Sequence, residues 1–541
     1  MELRDWQLAL KDKVVKGLRE GLLVALQSPT GSGKTLFSLV SALEVRPRVL
    51  FAVRTHNEFY PVYREATRLG KRFGFVMGKA RACLYADEGA DTEDINCSLC
   101  DSNVPVPVDS QEPPFTLLRE LKEKGIREKF CPYFSLLNST GLAEVIALTY
   151  PYVFTPWMWE ALGLDLEEFV LVVDEAHNLD NLNELAERKL SQQTLELALK
   201  EVKSREAISI LERIRRELAE VVLQEERYIR VENYPKLDKN ELKLLKDEYD
   251  ERRNEMIMKR AIRKLHLGTV IKFYSSDESP VFSYRGHLVM KPLLSSPFLS
   301  ILNRDDLPVI LMSGTMPPQD YLSKVLGINR RILYLDVEKE LRRKVTGTFD
   351  CMLAVDVTSS YSLRSQEMWK RYASYLLRIY HTAKANVLAI FPSYSIMEKV
   401  MSHVKVDKYV EGSRTDLEEV IRESGRRKLV IAGVARGKLS EGIELTRDGA
   451  SVISDVALCG IPYPSFDDYL KLRSEAIYRL TGQSVREALM EIPALIAVKQ
   501  AIGRAIRSRE DHATVWLLDR RFETSWWKLK VNCFNPKKIK L

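Results

Sequence analysis

Short apolar runs separated by amphipathic stretches recur along the 541-residue chain. In the first part of the chain, the runs predict buried strands at 22–26, 49–53, 145–148, 169–173 and 309–312. In the last third, further runs predict strands at 387–391, 429–432, 452–458 and 515–518. Strands that alternate with helices are typical of parallel α/β sheets. The pattern therefore predicts an α/β fold with two doubly wound lobes.

Two gaps between the predicted strands are too long for a simple crossover. About 30 residues suffice for a strand–helix–strand unit, whereas the second and third strands are separated by residues 54–144 and the fourth and fifth by residues 174–308. In the second gap, apolar residues follow helical spacing over 207–229, and a charged run over 240–267 follows Pro235. We predict two insertions in the first lobe, and we expect the second to be a helical projection with a solvated, charged face.

Composition and charge narrow the class of protein. The chain is 45% hydrophobic and 29% charged, which is typical of a globular protein. The net charge is 82 − 75 = +7, which permits nucleic acid as a partner without requiring it. No apolar run approaches the roughly 18 residues of a membrane span, and the charged N-terminal residues lack the apolar core of a signal peptide. We therefore expect a cytoplasmic location.

A phosphate-binding loop is predicted between the first strand and the helix after it, at SPTGSGKT (28–35). Successive backbone N–H groups and the helix dipole suit a polyphosphate there. Lys34 would reach the β- and γ-phosphates, and the Thr35 hydroxyl would bind Mg²⁺. The loop has Ser28 where the usual pattern has glycine, and the alternative is a flexible glycine loop before a helix. The candidate nucleotide ligands are Thr30, Gly31, Ser32, Gly33, Lys34 and Thr35.

Two further motifs fit hydrolysis of a nucleoside triphosphate. The strand at 169–173 leads into Asp174 and Glu175, which would hold the metal ion and activate the attacking water, respectively. In the second lobe, Gln500, Arg504 and Arg507 share one helix face, and arginines from a separate body stabilise the transition-state charge. The alternatives are a surface loop for the acidic pair and a basic surface helix for the arginines. Together the motifs predict a nucleotide site shared by two lobes.

Four of the seven cysteines, Cys83, Cys97, Cys100 and Cys131, cluster in the first insertion. In a cytoplasmic chain, a local cluster indicates metal binding rather than disulfide bonds. Four thiolates suit either a structural zinc ion or an iron–sulfur cluster. Because so small an insertion buries little core, the metal would supply much of its folding free energy. The remaining cysteines, at 351, 459 and 533, are expected to be ordinary buried residues.

Seven segments, taken in order, resemble the motifs of superfamily 2 helicases. These segments are SPTGSGKT, AVRTHNE (52–58), VDEAH, MSGT (312–315), IFPSY (390–394), ARGKLSEGIE (435–444) and QAIGRAIR (500–507). More narrowly, they are similar to those of the XPD branch, the iron–sulfur helicases that include the bacterial DinG proteins. The resemblance extends from about residue 4 to residue 519.

The resemblance implies two RecA-like lobes with two domains inserted in the first. The implied parts are RecA-like domain 1 (1–75, 135–200 and 285–342), an iron–sulfur domain (76–134), a helical arch (201–284) and RecA-like domain 2 (343–541). The implied activity is ATP-dependent 5′→3′ movement on single-stranded DNA with unwinding of duplex DNA, in nucleotide excision repair. We expect single-stranded and forked DNA as partners, a monomer, and other repair proteins as possible partners.

The resemblance also implies roles for individual residues. It favours a [4Fe–4S] cluster on the four clustered cysteines over zinc, and it places Gln7 near the adenine. Ser313 and Thr315 would couple the ATP site to the DNA track. The expected DNA contacts are Arg54, Thr55, Lys79, Ser393, Tyr394 and Ser440. Two other functions stay open: an ATP-driven translocase that does not separate strands, and a nucleic-acid-binding scaffold with a nucleotide switch.

Overall fold

The first lobe is built on a parallel sheet whose central strands are entirely buried. The computed structural model describes residues 3–29, 31–109, 111–276, 279–412, 415–441, 445–447, 450–506 and 510–541. Within them, the first sheet has seven strands. Their spatial order is Ile332–Asp336, Leu23–Gln27, Val309–Ser313, Phe169–Val173, Arg48–Val53, Val145–Thr149 and Phe73–Phe75. All of the pairings are parallel, so the phosphate loop and the acidic pair both follow strands at the carboxyl edge of this sheet.

The second lobe repeats this architecture. In the described residues its sheet also has seven strands, all paired in parallel. Their order is Lys408–Val410, Val430–Val434, Asn386–Phe391, Ile453–Leu458, His512–Leu517, Thr348–Ala354 and Lys537–Ile539. A short antiparallel pair, Thr446–Arg447 with Ala450–Ser451, lies beside it in sequence. The predicted α/β class and its two lobes are therefore confirmed.

Helices cover the faces of both sheets. Those of the first lobe and first insertion are Asp5–Arg19, Lys34–Leu43, Phe59–Arg68, Lys79–Ala82, Pro114–Glu128, Pro132–Ser139, Tyr150–Phe154, Pro156–Glu160, Gln319–Lys324 and Val337–Leu341. Those of the second lobe are Gln366–Thr382, Tyr394–Met401, Leu417–Ser424, Lys438–Glu441, Asp468–Thr481, Arg486–Ala505 and Ser525–Lys530. In the described part of the chain, every helix is too short or too polar to cross a lipid bilayer.

The second insertion contains more than the predicted helices. The helices are Gln192–Leu199, Arg205–Val221, Lys239–Met258 and His266–Tyr274. An antiparallel sheet lies beside them, with its strands in the order Arg188–Ser191, His287–Met290, Val281–Tyr284 and Ile229–Arg230. Leu211, Ile214 and Leu218 are fully buried and belong to the same core as Ile95 of the first insertion. The two insertions therefore pack against each other.

One cysteine prediction is wrong for two of the three isolated residues. Cys351 and Cys533 form a disulfide bond with Cα atoms 5.9 Å apart. Cys351 lies on the strand Thr348–Ala354, and the pairing of this strand with Lys537–Ile539 brings the last segment of the chain beside it. Cys459 is buried with a free thiol, as expected.

Candidate nucleotide site and nucleic-acid surface

The phosphate loop connects the strand Leu23–Gln27 to the helix Lys34–Leu43. Gly31 and Gly33 have φ angles of 76° and 91°, a left-handed backbone that glycine adopts without strain. A Cβ atom on Gly33 would also lie only 2.9 Å from Nε2 of Gln7. Gly33 caps the helix, whose first-turn N–H groups have no intrahelical acceptor and suit an anion. Thr30 lies outside the described residues.

Ser28, which replaces the usual glycine, has a structural partner. Its hydroxyl oxygen lies 2.6 Å from that of Ser32, and its N–H donates to the carbonyl of Ser313 at 3.0 Å. Both serines are buried. The departure from the usual motif therefore adds a side-chain hydrogen bond that closes the loop. The backbone bond to Ser313 ties the loop to a neighbouring strand and does not depend on the side chain.

The Lys34 ammonium lies between the two carboxylates of the acidic pair. Its Nζ is 2.9 Å from Oδ1 of Asp174 and 2.5 Å from Oε1 of Glu175. Burial alone would lower the pKa of Lys34, but the two carboxylates outweigh burial and raise this pKa. Thr35 is the next helical residue and is half-buried. A triphosphate would compete with the carboxylates for the Lys34 ammonium.

Contacts from a neighbouring strand and from the helix Tyr150–Phe154 hold the acidic pair in place. The N–H of Asp174 donates to the carbonyl of Ala52 at 2.9 Å. The buried Tyr150 hydroxyl donates to the carbonyl of Asp174 at 2.5 Å. Burial raises the pKa of Asp174. Glu175 has a φ angle of 49°, a left-handed conformation that is uncommon for residues other than glycine.

The N-terminal helix is fastened to the phosphate loop through polar side chains. Gln7 donates from Nε2 to the carbonyl of Gly33 at 2.9 Å, and its Oε1 accepts from the N–H of Arg4 at 2.7 Å. The Trp6 indole N–H donates to the carbonyl of Ser32 at 3.0 Å. Gln7 thus lies against the nucleotide loop, and Arg4 and Trp6 are partners of the loop that the motif search did not reveal.

The second lobe contacts the first through Gln500. The Gln500 amide Nε2 lies 2.7 Å from Nε2 of His177, and Nδ1 of His177 lies 2.8 Å from the Ser313 hydroxyl oxygen. Thr315 donates its N–H to the same hydroxyl at 3.0 Å. These contacts therefore connect the second lobe to the end of the strand Val309–Ser313, which also contacts Ser28.

Arg504 also comes from the second lobe and acts on the acidic pair. Burial alone would raise the pKa of Glu175, but Lys34, His177 and Arg504 outweigh burial and lower it to about 2. The Arg504 Nε donates to the buried carbonyl of Ser440 at 2.9 Å. The structure therefore brings Gln500 beside the acidic pair through His177, whose Nδ1 lies 3.3 Å from Oε2 of Glu175, and the charge of Arg504 acts on Glu175. Arg507 lies outside the described residues.

Two of the expected nucleic-acid residues line an open groove in the first lobe. Arg54 and Thr55 are exposed and follow the strand Arg48–Val53. They border a cavity of 330 Å³ together with Arg81 of the first insertion. The remaining lining residues are His56, Asn57, Thr149 and Pro151. The two guanidinium groups give this groove the charge that suits a phosphate backbone.

The other expected nucleic-acid residues have partners within the protein. The Lys79 ammonium lies 5.7 Å from the centre of the Tyr133 ring, beside the cysteine cavity. The Ser393 hydroxyl accepts from the N–H of Ile396 and caps a helix. The Tyr394 hydroxyl donates to Oε1 of Glu411 at 3.2 Å. Ser440 is buried and its carbonyl accepts from Arg504.

Cys83, Cys97, Cys100 and Cys131 line one cavity in the first insertion. All four thiols are free and half-buried. Burial raises the pKa of Cys83, Cys97 and Cys131. Within the described residues, no three cysteine, histidine or acidic side chains are close enough to hold a single metal ion. The four thiols therefore surround a shared space without converging on one point.

Two parallel α/β lobes around one phosphate loop define the class of this protein as a two-lobed P-loop motor ATPase. Two family models match the chain: DEAD_2 over residues 76–195, and the helicase C-terminal domain over residues 376–534. Together they cover the first insertion, the acidic pair, and most of the second lobe.

Full-length relatives identify the family. The chain is 50% identical to the ATP-dependent DNA helicase XPD of Sulfolobus acidocaldarius, and the match covers 100% of both chains. A solved structure named XPD_Helicase matches with a TM-score of 0.95 and 50% identity over 100% of both chains. Another, named XPD_APO, matches with a TM-score of 0.83 and 45% identity over 98% of this chain and 100% of that one. The chain belongs to the XPD family of ATP-dependent DNA helicases.

Proposed function

We propose that this DNA helicase moves 5′→3′ on single-stranded DNA, unwinds forked duplexes and serves in nucleotide excision repair. The observation that carries the proposal of ATP-driven movement is the contact of Gln500 with His177, beside the acidic pair. The direction and the repair role are what the resemblance of the motifs to the XPD branch implies. Because residues of both lobes meet at one nucleotide site, binding and hydrolysis of ATP would change the distance between the lobes. If each lobe holds the DNA backbone, this cycle becomes movement along the strand.

The site residues divide the chemistry of ATP hydrolysis among them. Lys34 would leave the acidic pair and bind the β- and γ-phosphates, while Asp174 and Thr35 would hold Mg²⁺. Glu175 is ionised beside Lys34, which lowers its pKa against the effect of burial, and it would orient and deprotonate the attacking water once Lys34 has moved to the phosphates. Arg504 and Arg507 would stabilise the charge on the γ-phosphate, and Gln7 would contact the adenine.

We further propose that the four clustered cysteines bind a [4Fe–4S] cluster. The four thiols line one cavity, and four thiolates are the ligand set of such a cluster, in which each thiolate binds a different iron. When bound, the cluster would stiffen the first insertion as a wedge at the duplex junction. An iron and sulfide assay with a visible spectrum, on protein purified without air, tests this assignment.

Forked substrates test the direction of movement. A duplex with a single-stranded 5′ tail should be unwound in the presence of ATP and Mg²⁺, and one with only a 3′ tail should not. The Lys34→Ala variant, assayed in parallel, separates ATP-driven unwinding from passive melting. Unwinding of only the 3′-tailed duplex would contradict the proposed direction.

The same assays address the alternative of a translocase that does not separate strands. Such a protein would hydrolyse ATP and displace a protein block from bare single-stranded DNA, and would leave every forked duplex intact. The exposed Arg54 and Thr55 at the groove favour a nucleic-acid track in either case. We propose that the protein acts in the cytoplasm as a monomer, with repair proteins as its partners, and that the chain is divided into the four domains predicted from the sequence.

A further inference from the structure

Glu58 stands between the nucleic-acid groove and the nucleotide site, and the functions assigned so far do not use it. It ends the short helical turn His56–Glu58, which follows the strand Arg48–Val53 and the exposed residues Arg54 and Thr55. The carboxyl edge of this strand also lies beside the acidic pair, since Asp174 donates its N–H to Ala52. One short segment of chain therefore borders both sites.

On the groove side, the Glu58 carboxylate binds both expected nucleic-acid residues. Its Oε2 accepts from the N–H of Arg54 at 3.1 Å, and its Oε1 accepts from the Thr55 hydroxyl at 2.8 Å. These two bonds fix the backbone at Arg54 and orient the Thr55 hydroxyl. A change in the position or charge of this carboxylate would therefore shift the two groups that face the groove.

On the nucleotide side, the charges of Asp174 and Glu175 act on the Glu58 carboxyl group. Burial, followed by the charges of Asp174 and Glu175, raises the pKa of Glu58 to about 7, against the hydrogen bonds that lower it. Burial, followed by the charge of Glu58, raises the pKa of Tyr150, whose hydroxyl donates to the carbonyl of Asp174. Glu58 and the acidic pair therefore share one electrostatic environment.

We propose that Glu58 is a positioning residue that links the nucleotide site to the nucleic-acid groove through its hydrogen bonds to Arg54 and Thr55. When Mg²⁺ and a triphosphate bind, cations and phosphates replace the Lys34 ion pairs around Asp174 and Glu175, and the field at Glu58 changes. The carboxylate transmits this change to the groove. The inference rests on the proposed role of Arg54 and Thr55 as DNA contacts.

The test measures this linkage directly as a ratio of two affinities. Fluorescence anisotropy gives the Kd of a labelled single-stranded DNA oligonucleotide, alone and with Mg²⁺ and a non-hydrolysable ATP analogue. For the unaltered protein, we expect the two values to differ by about fivefold or more, within the usual range of coupling between sites. Glu58→Gln keeps the volume and one acceptor but removes the charge, so we expect its two values to agree within about twofold, a coupling factor close to one.

Two further variants separate linkage from mere support of the fold. Glu58→Ala should abolish the difference and also weaken binding without nucleotide, because both hydrogen bonds are lost. Glu20→Gln removes an exposed carboxylate at the opposite edge of the first sheet and should keep the difference. Circular dichroism checks that each variant is folded.

Three outcomes would overturn the inference. In the first, Glu58→Gln and Glu58→Ala retain the difference between the two affinities. In the second, the Glu58 variants weaken both affinities by the same factor, which indicates a structural role alone. In the third, the unaltered protein binds DNA equally well with and without the analogue. The proposed function fails separately, if the unaltered protein does not bind the oligonucleotide at all.

Discussion

Lys34 has two sets of partners at different stages of the ATPase cycle. Without nucleotide, its ammonium offsets the repulsion between Asp174 and Glu175, to which it is directly bonded. A triphosphate offers more negative charge and shorter, charge-assisted hydrogen bonds, so it competes for the same ammonium. The lysine therefore also compensates buried charge when the site is empty, a role that a motif search does not reveal.

The Lys34→Ala variant tests both roles at once. We expect hydrolysis of ATP to be abolished, because the β- and γ-phosphates lose their cation. Single-stranded DNA binding in the absence of nucleotide should stay within about threefold of the unaltered protein, since the groove at Arg54 and Thr55 is a separate surface. Steady-state ATPase assays and anisotropy measure the two effects. A parallel loss of DNA binding would indicate that the loop supports the fold of the whole lobe.

The raised pKa of Glu58 predicts a pH dependence of stability. A carboxyl group whose pKa is about 7 in the folded protein and 4.5 when unperturbed binds protons more strongly when folded. Stability therefore falls as the pH rises from about 4.5 to 7, by about 1 to 2 kcal/mol after allowance for solvent screening. Glu58→Gln removes this loss, so its unfolding temperature relative to the unaltered protein should be higher at pH 8 than at pH 5. An identical difference at both pH values would contradict the prediction.

Site residues that follow a strand in sequence could be predicted, whereas their partners from distant segments could not. Asp174 comes directly after an apolar run, and Lys34 ends a glycine-containing loop that follows another, so the strand–loop context is visible in the sequence. The contact between Ser28 and Ser313 depends on which strands are neighbours in the sheet. The tie of Trp6 to the loop depends on how the first helix packs. Sequence periodicity specifies neither of these arrangements.

At the scale of elements, the sequence pattern predicts the buried central strands but not the partly exposed strands at or next to the sheet edges. Phe169–Val173 and Val309–Ser313 are fully buried and therefore read as continuous apolar runs. Partly exposed and polar positions occur in the strands Ile332–Asp336 and Thr348–Ala354, so their sequences do not differ clearly from those of loops. The strands of the second insertion have between two and four residues, too few for an alternating pattern to stand out.

The first insertion predicts a selective defect in the Cys97→Ser variant. If the proposed cluster holds this insertion rigid, loss of one ligand should bleach the broad visible absorbance and reduce unwinding of forked DNA by about tenfold or more. DNA-stimulated ATPase should fall less, because the nucleotide site is formed by the two lobes. Absorbance, unwinding and ATPase are measured on the same preparation. If ATPase activity falls by the same factor as unwinding, a wedge role is contradicted. That result would indicate that the first insertion supports the fold through the core that it shares with the second insertion.

At the scale of the whole molecule, one helix belongs to both lobes. In the helix Arg486–Ala505, Leu489 and Ile492 are buried in the core of the first lobe, whereas Val498, Ala501 and Ile502 are buried in the core of the second. Pro493 stands between the two halves, and proline removes a helical hydrogen bond and favours bending. Because Gln500 and Arg504 lie on the second half, their position depends on how the first half is docked.

A buried ion pair fixes that docking, and its removal gives the last prediction. Arg473, on the preceding helix, forms a bidentate pair with Asp180 of the first lobe, and Asp180 also accepts from the Tyr321 hydroxyl at 2.8 Å. Arg473→Met leaves a buried carboxylate without its cation, so the free energy of unfolding should fall by about 3 kcal/mol.

The helix of Arg473 precedes the helix that carries Gln500 and Arg504. We therefore expect kcat for ATP hydrolysis to fall in Arg473→Met while KM changes little. The double variant Asp180→Asn, Arg473→Met removes the uncompensated charge as well, and thermal unfolding should show recovery of more than half of the lost stability. If the double variant recovers its stability but not its kcat, the loss of kcat comes from altered docking of the lobes and not from reduced stability. A single variant as stable and as active as the unaltered protein would show that the apolar contacts of Leu489 and Ile492 suffice to hold the lobes together.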